Sequence, residues 1–261
     1  MSESLRGFGV AAGLDPEIAA PLAGICESAG YTSLWSNDTP IASGLETLAA
    51  FAEGSIAPEL GVAVLAIDRH SPSEIAARID SLGLERARLW IGIGAGFSEQ
   101  PLSAIRAALP ELRSELAGIR LALAAMGPKM CALAGAEFDG VFFNWMTPRF
   151  AAAARRQVEA GATAGARRVP RVFGYVRTAV GPDAAERLAK EESFYRNLHE
   201  GYRNHFARLD EPEGTVGIAV ADRDGANAAI ARYDTLDAVV VRGLASANLD
   251  AMETLAEAAG P

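Results

Sequence analysis

Short apolar runs alternate along the chain with segments in which apolar residues recur every three or four positions. Arg6–Ala11, Ser33–Asn37, Leu60–Ile67, Ala87–Ile93, Ile119–Ala125, Val141–Met146, Val172–Val180 and Asp237–Gly243 read as eight strands. The runs LGVAVLAI and LALAA carry no polar residue, as expected for parallel strands covered on both faces. Helical signals lie between the strands. Asp15 is placed to cap a helix that has Pro16 at its first position, apolar residues at Ile18, Leu22 and Ile25, and Gly30 at its end. Ser71-Pro72-Ser73-Glu74 carries a cap, a first-position proline and the glutamate of a capping box. Further helices are expected over Gly44–Ala52, over Pro101–Leu116 in two pieces broken at Pro110, and over Lys129–Phe138 and Arg149–Ala160. The rest fall over a charged region, Asp183–Leu209, broken near Gly201, and over Ala226–Tyr233 and Asn248–Ala259. Strands followed by helices at a spacing of about 30 residues favour a closed parallel (β/α)8 barrel of α/β class, with an open doubly wound sheet as the competing architecture.

Length agrees with that reading, since one such barrel needs about 250 residues and the chain has 261. A single domain spanning 1–261 is therefore expected, with no linker or low-complexity tract to divide it. A net charge of −9 argues against nucleic acid and anionic membrane surfaces as partners. No stretch is long and apolar enough to span a membrane, and MSESLRGFGV lacks the apolar core of a secretion signal. Cys26 and Cys131 lie isolated in apolar helical contexts, which points to buried thiols in a reducing, cytoplasmic setting.

In a barrel the chemistry belongs to the loops at the C-terminal strand ends. That rule selects Ser36-Asn37-Asp38, Ala66–His70, Gly94–Phe97, Met126–Pro128, Asn144–Thr147, Arg177–Thr178 and Arg242–Gly243. The Met126-Gly127-Pro128 turn presents backbone N–H groups and the positive end of a helix dipole, where a phosphate would bind, although Gly-Pro is also an ordinary helix start. Gly92, Gly94 and Gly96 lack the last glycine of a dinucleotide fingerprint. They serve either the close approach of a planar ring or a tight turn. Arg177 interrupts an apolar strand and must be paired, either with a ligand or with a mouth carboxylate such as Asp38. Asn37 and Asp38 suit a hydrogen bond and a proton transfer, or simply a loop start. Trp35 and Trp145 either wall a pocket or pack in the core. His70, His199 and His205 show no metal spacing, and the last two read as a solvated helical face.

The segment Ala124–Pro148, AAMGPKMCALAGAEFDGVFFNWMTP, resembles the stretch A-x-G-P-x-M-x-x-L-A-G-E-x-A-D-G-V-x-x-N of the bacterial-luciferase-like flavin and deazaflavin oxidoreductases. It is nearer to the members that use the 8-hydroxy-5-deazaflavin coenzyme F-420 than to luciferase itself. The resemblance implies a luciferase-like TIM barrel that binds F-420, or alternatively FMN, and passes hydride to or from a small organic substrate. It places the cofactor phosphate near Ala125, Met126, Gly127 and Pro128, and the ring near Gly94, Ala95 and Gly96. Asn144 and Arg177 complete the expected cofactor set. A non-prolyl cis peptide is implied within Gly61–Val64, with Val62–Ala63 as the expected bond. Where the family has an acidic residue followed by histidine, this chain has Asn37-Asp38 after Ser36, so these two are the candidate catalytic residues and Ser36 a cofactor contact. An acid found after strand four in some relatives is replaced by Phe97. These departures also leave open a non-catalytic cofactor-binding barrel and an FMN-dependent monooxygenase. The segment between strands four and five, Phe97–Gly118, is shorter than in full-length relatives, and a homodimer is expected.

Overall fold

The computed structural model describes residues 4–261. Nine parallel strands form one sheet, in the order β6-β5-β4-β3-β2-β1-β9-β7-β8, and a further pairing of β6 with β7 closes eight of them into a barrel. The strands are β1 (Leu5–Val10), β2 (Ser33–Ser36), β3 (Glu59–Ala66), β4 (Leu89–Gly94), β5 (Arg120–Ala124), β6 (Gly140–Asn144), β7 (Arg171–Val180), β8 (Ile218–Val220) and β9 (Ala238–Gly243). The helices are α1 (Pro16–Ser28), α2 (Gly44–Gly54), α3 (Pro72–Ser81), α4 (Pro101–Glu115), α5 (Pro128–Glu137), α6 (Pro148–Ala164), α7 (Ala184–Leu198), α8 (Glu200–Leu209), α9 (Arg223–Ala231) and α10 (Leu249–Ala258).

All eight expected strands form the barrel wall. The sequence pattern did not reveal β8, a three-residue strand that pairs only with the far end of β7, at Thr178–Val180. Its apolar run, Ile218-Ala219-Val220, is too short to be read as a strand. Asp15 caps α1, and Ser71 and Glu74 make both bonds of the capping box on α3. Pro110 does not divide α4, which is continuous. The proline is exposed, while Ile105, Leu109 and Leu112 anchor the helix on both sides of it. The expected break near Gly201 falls at His199, whose extended backbone separates α7 from α8 and whose Nδ1 accepts from the Gly201 amide.

Strand alternation divides the apolar residues into two bodies. Phe8, Leu34, Ile91, Leu121, Val141 and Val241 face outward into the layer beneath the helices. Trp35, Ala63, Trp90, Ala122, Phe142, Phe173, Tyr175, Ala238 and Val240 face inward and fill the barrel. Small residues make room for this aromatic filling. A Cβ on Gly61 would meet the Trp35 ring at 2.2 Å, and one on Gly9 would meet Tyr175 at 2.4 Å. Cys26 and Cys131 are both buried free thiols, and burial pushes the Cys131 thiol up to about 12. No helix among the described residues is long and apolar enough to cross a membrane.

Candidate active site

The same alternation sorts the residues at the C-terminal end of the barrel. Register pairs Tyr175 with Asn144 and with Val240, and Arg177 with Arg242. Asn144, Arg177 and Arg242 therefore continue the inward rows of Phe142, Tyr175 and Val240 to the rim. Asn37, Ala63, Gly94 and Ala124 belong to the inward rows of β2 to β5 in the same way. Ser36, Val62 and Ala125 do not. They alternate with the inward residues and turn toward the helices, Val62 and Ala125 in the outer apolar layer and Ser36 buried with its hydroxyl donating to the Asn37 carbonyl. Their side chains are thus turned away from the mouth, which follows from the two-residue period of a strand.

Strand β3 is irregular where it reaches the rim. A non-prolyl cis peptide joins Ala63 to Val64, one bond beyond the expected Val62–Ala63, and the register with β4 shifts between Ala63 and Leu65. The bulge carries Val64 against β4. A Cβ on Gly94 would meet Val64 Cγ2 at 2.7 Å, and one on Gly92 would meet the Val62 carbonyl at 2.7 Å. These glycines are thus required by the bulge itself, and Val64 is the surface residue they accommodate. Gly96 serves a turn. Its φ is +62°, and Asp68 caps the neighbouring Phe97 amide at 2.8 Å. Ala95 is half-buried beside it.

The first turn of α5 stands beside the end of β5. Gly127 is the N-cap, with φ −123° and ψ 157°, and no side chain caps the helix. A Cβ at Gly127 would meet nothing within 4 Å. Met126 is half-buried and Pro128 exposed. The donors of a ten-residue helix therefore open onto free space at a strand end, which is the arrangement that binds phosphate.

Asn37 and Asp38 are held firmly. The Asn37 Oδ1 accepts from the Ala12 amide at 2.7 Å. The Asp38 side chain is only 2% exposed, and its Oδ1 accepts from the Gly44 amide at 3.0 Å. Its Oδ2 meets Arg69 at 3.1 Å and the His70 Nε2 at 2.9 Å. Asp38 thus has a histidine beside it, supplied by the turn after β3. Sequence spacing hid this pairing because 32 positions separate the partners.

Arg177 is buried with its guanidinium 4.3 Å from the Trp145 ring centroid and 4.9 Å from that of Tyr195. It donates to the Asn144 side-chain carbonyl and lies 4.0 Å from Glu191, so its structural partner is on α7 and not Asp38. Its Nε has no hydrogen-bond partner. Asn144 Nδ2 in turn donates to the Tyr202 hydroxyl at 3.3 Å, and burial raises Tyr202 to about 12. Helices α7 and α8 reach over this side of the mouth. His199, at their junction, packs edge-on against Phe97 from the loop after β4, centroid to centroid 5.4 Å. Trp145 belongs to a separate small core with Leu188, Phe206, Leu209 and Val216. Trp35 lies in the barrel filling.

His205 is not on a solvated face. It is fully buried on Phe150, and its Nε2–H donates to the Trp145 carbonyl at 2.5 Å. Trp145 itself has φ +48°, a backbone conformation unusual for a bulky residue. Burial lowers the pKa of His205, and Arg208 beside it adds to the effect. No group of three or more acidic, histidine or cysteine side chains suited to a metal occurs among the described residues.

No protein-family model matches the chain, and no curated protein matches it by sequence. Solved structures do match it in fold. An F420-dependent secondary alcohol dehydrogenase aligns over 100% of both chains with TM-score 0.79 and 15% identity. A coenzyme F420-dependent tetrahydromethanopterin reductase from Methanopyrus kandleri aligns over 98% of each with TM-score 0.75 and 17% identity. An EDTA monooxygenase from Chelativorans sp. BNC1 aligns over 99% of this chain and 92% of its own, with TM-score 0.71 and 11% identity. The chain therefore has the (β/α)8 barrel fold of these structures.

Proposed function

We propose that the chain is a single-domain oxidoreductase of the luciferase-like family that exchanges hydride between coenzyme F-420 and a small organic substrate. The observation that carries this reading is the pairing, on one rim, of an uncapped helix N-terminus at Gly127 with the bulged Ala63–Val64 segment of β3. The first fits a phosphate and the second a flat ring. When bound, F-420 supplies the hydride-carrying C5 of its ring, as FMN would supply N5.

The residues of this chain then have distinct tasks. The amides of the first α5 turn hold the phosphate, with Ala125, Met126, Gly127 and Pro128 contributing backbone. Val64 supports one face of the ring, with Ala63, Gly94, Ala95 and Gly96 shaping the wall beside it. Asn144 and Asn37 offer side-chain amides to ring oxygens and nitrogens. Since the Asn37 Oδ1 already serves Ala12, its Nδ2 is the group turned to this use. A proton at this rim would be held by the Asp38–His70 pair, through the half-exposed imidazole rather than the buried carboxylate. Helices α7 and α8 exclude water from the Arg177 side. The fold similarity to proteins named as F420-dependent supports F-420, and the similarity to a monooxygenase keeps FMN as the alternative cofactor. A homodimer in the cytoplasm completes the proposal.

Titration of the cofactor-stripped protein with F-420 and separately with FMN, followed by fluorescence, tests it. Micromolar or tighter binding of F-420 with no binding of FMN is expected. FMN preference would convert the reading to flavin monooxygenase chemistry, and binding of neither would leave a non-catalytic barrel.

A further inference from the structure

The two arginines at the barrel rim have unequal partners. Arg177 has Glu191 on α7 at 4.0 Å. Arg242 makes no ion pair among the described residues, and its Nη1 donates only to the carbonyl of the next residue, Gly243, at 2.5 Å. The two are register partners on neighbouring strands, so their side chains leave the sheet on the same inward side, about 5 Å apart at the backbone. Arg177 also keeps a buried Nε without a hydrogen-bond partner. Two guanidinium groups against one carboxylate leave a net positive charge in a half-buried site, on a molecule whose net charge is −9. Arg242, half-buried and without a carboxylate partner, is available to an oxyanion, the kind of group its fork of N–H donors fits best.

We infer that Arg242 and Arg177 form the receptor for an anionic head group (a carboxylate, sulfonate or phosphate monoester) on the substrate. The substrate assignment rests on the oxidoreductase reading above. The cofactor phosphate is the other source of such a group, and topology argues against it. The uncapped α5 terminus follows β5, whereas Arg242 lies on β9, three strands further round the ring of eight. One phosphate cannot occupy both. The substrate is thus a small acid whose charged end is held at β7 and β9, leaving the rest of the molecule to extend over the mouth toward β3 and β4.

The apoprotein is titrated at constant ionic strength with acetate, methanesulfonate and inorganic phosphate, using tryptophan fluorescence, because Trp145 lies on the Arg177 guanidinium. A saturable change with at least one anion is expected. Arg242→Gln is expected to weaken it tenfold or more, Arg242→Lys less, and Arg156→Gln on the exposed face of α6 not at all. With F-420 or FMN at saturation the anion is expected still to bind, and Arg242→Gln is expected to leave cofactor affinity within twofold. Absence of saturable binding for all three anions, or equal binding by Arg242→Gln with an unaltered circular-dichroism spectrum, overturns the receptor. Displacement of the anion by the cofactor overturns its assignment to substrate. If the anion binds and neither cofactor does, the oxidoreductase reading fails and the receptor stands.

Discussion

At Gly127 the stability of α5 and the proposed phosphate contact can be separated by a single substitution. Its backbone is already in the extended conformation of an N-cap, and a side chain there meets no atom within 4 Å. Aspartate is a better N-cap than glycine by a few tenths of a kcal/mol, and its charge favours the helix dipole. Gly127→Asp is therefore expected to raise the thermal midpoint slightly while weakening F-420 binding at least tenfold, because the carboxylate would occupy the position proposed for the phosphate. Gly127→Ala should change neither by much. Calorimetry and a fluorescence titration on the same samples check both signs. A loss of binding in Gly127→Asp accompanied by loss of stability would point to misfolding instead. Asp38 illustrates the opposite coupling. Asp38→Ala leaves Arg69, His70 and the Gly44 amide without their acceptor, and is expected to cost about 1–3 kcal/mol in urea unfolding. Any kinetic defect of that variant has to be read at matched folded fraction.

At the scale of elements, the barrel wall was legible because parallel strands buried on both faces form nearly continuous apolar runs. The cover over the mouth was not. Helices α7 and α8 are charged and amphipathic, and nothing in their pattern reveals that Glu192 and His205 are fully buried within them. The Glu192 carboxylate accepts from Arg196, one turn along the same helix, and from the Val216 amide beyond α8, a partner that only the fold supplies. The Asp38–His70 contact was hidden for the same reason, and so was the placement of Val64 against β4, since a bulge shifts the alternation by one residue. The cover has its own small core around Trp145 and Phe206, and locally packed units open independently of the rest. Amides of α7 and α8 are expected to exchange with deuterium faster than those of β1 to β6, and to slow when F-420 binds. His205 makes this unit pH-sensitive. Its folded pKa is lowered, so the unfolded chain takes up the proton first as pH falls. The stability it supports is intact above about 6.5, the usual histidine value, and declines below it toward the lowered folded pKa. Exchange in α8 should accelerate over that window, and His205→Gln, which keeps a donor for the Trp145 carbonyl, should flatten the response.

The whole molecule divides its two ends between tasks, as barrels of this kind do. At the end opposite the mouth, Glu59 at the start of β3 accepts from Arg120 of β5 and, at 2.6 Å, from Arg171 of β7. Both guanidinium groups lie near the Trp90 ring, at 4.7 and 5.2 Å from its centroid. One carboxylate thus ties three strands that are not neighbours in the sheet and closes the base of the aromatic filling. Each of the three side chains is 26–32% exposed, so solvent screening weakens the pairs without removing them. Glu59→Gln keeps the shape and removes the charge. It is expected to cost about 1–2 kcal/mol, lowering the thermal midpoint by about 3–6 °C. Binding of F-420 and of the anionic probes should stay within twofold, because the barrel filling of Trp35, Phe142 and Phe173 separates the base from the rim. Differential scanning calorimetry beside the two titrations tests the division. If Glu59→Gln weakened ligand binding as strongly as Gly127→Asp or Arg242→Gln, the base and the mouth would have to be coupled through the filling. The rim residues could then no longer be assigned their roles independently of the fold that supports them.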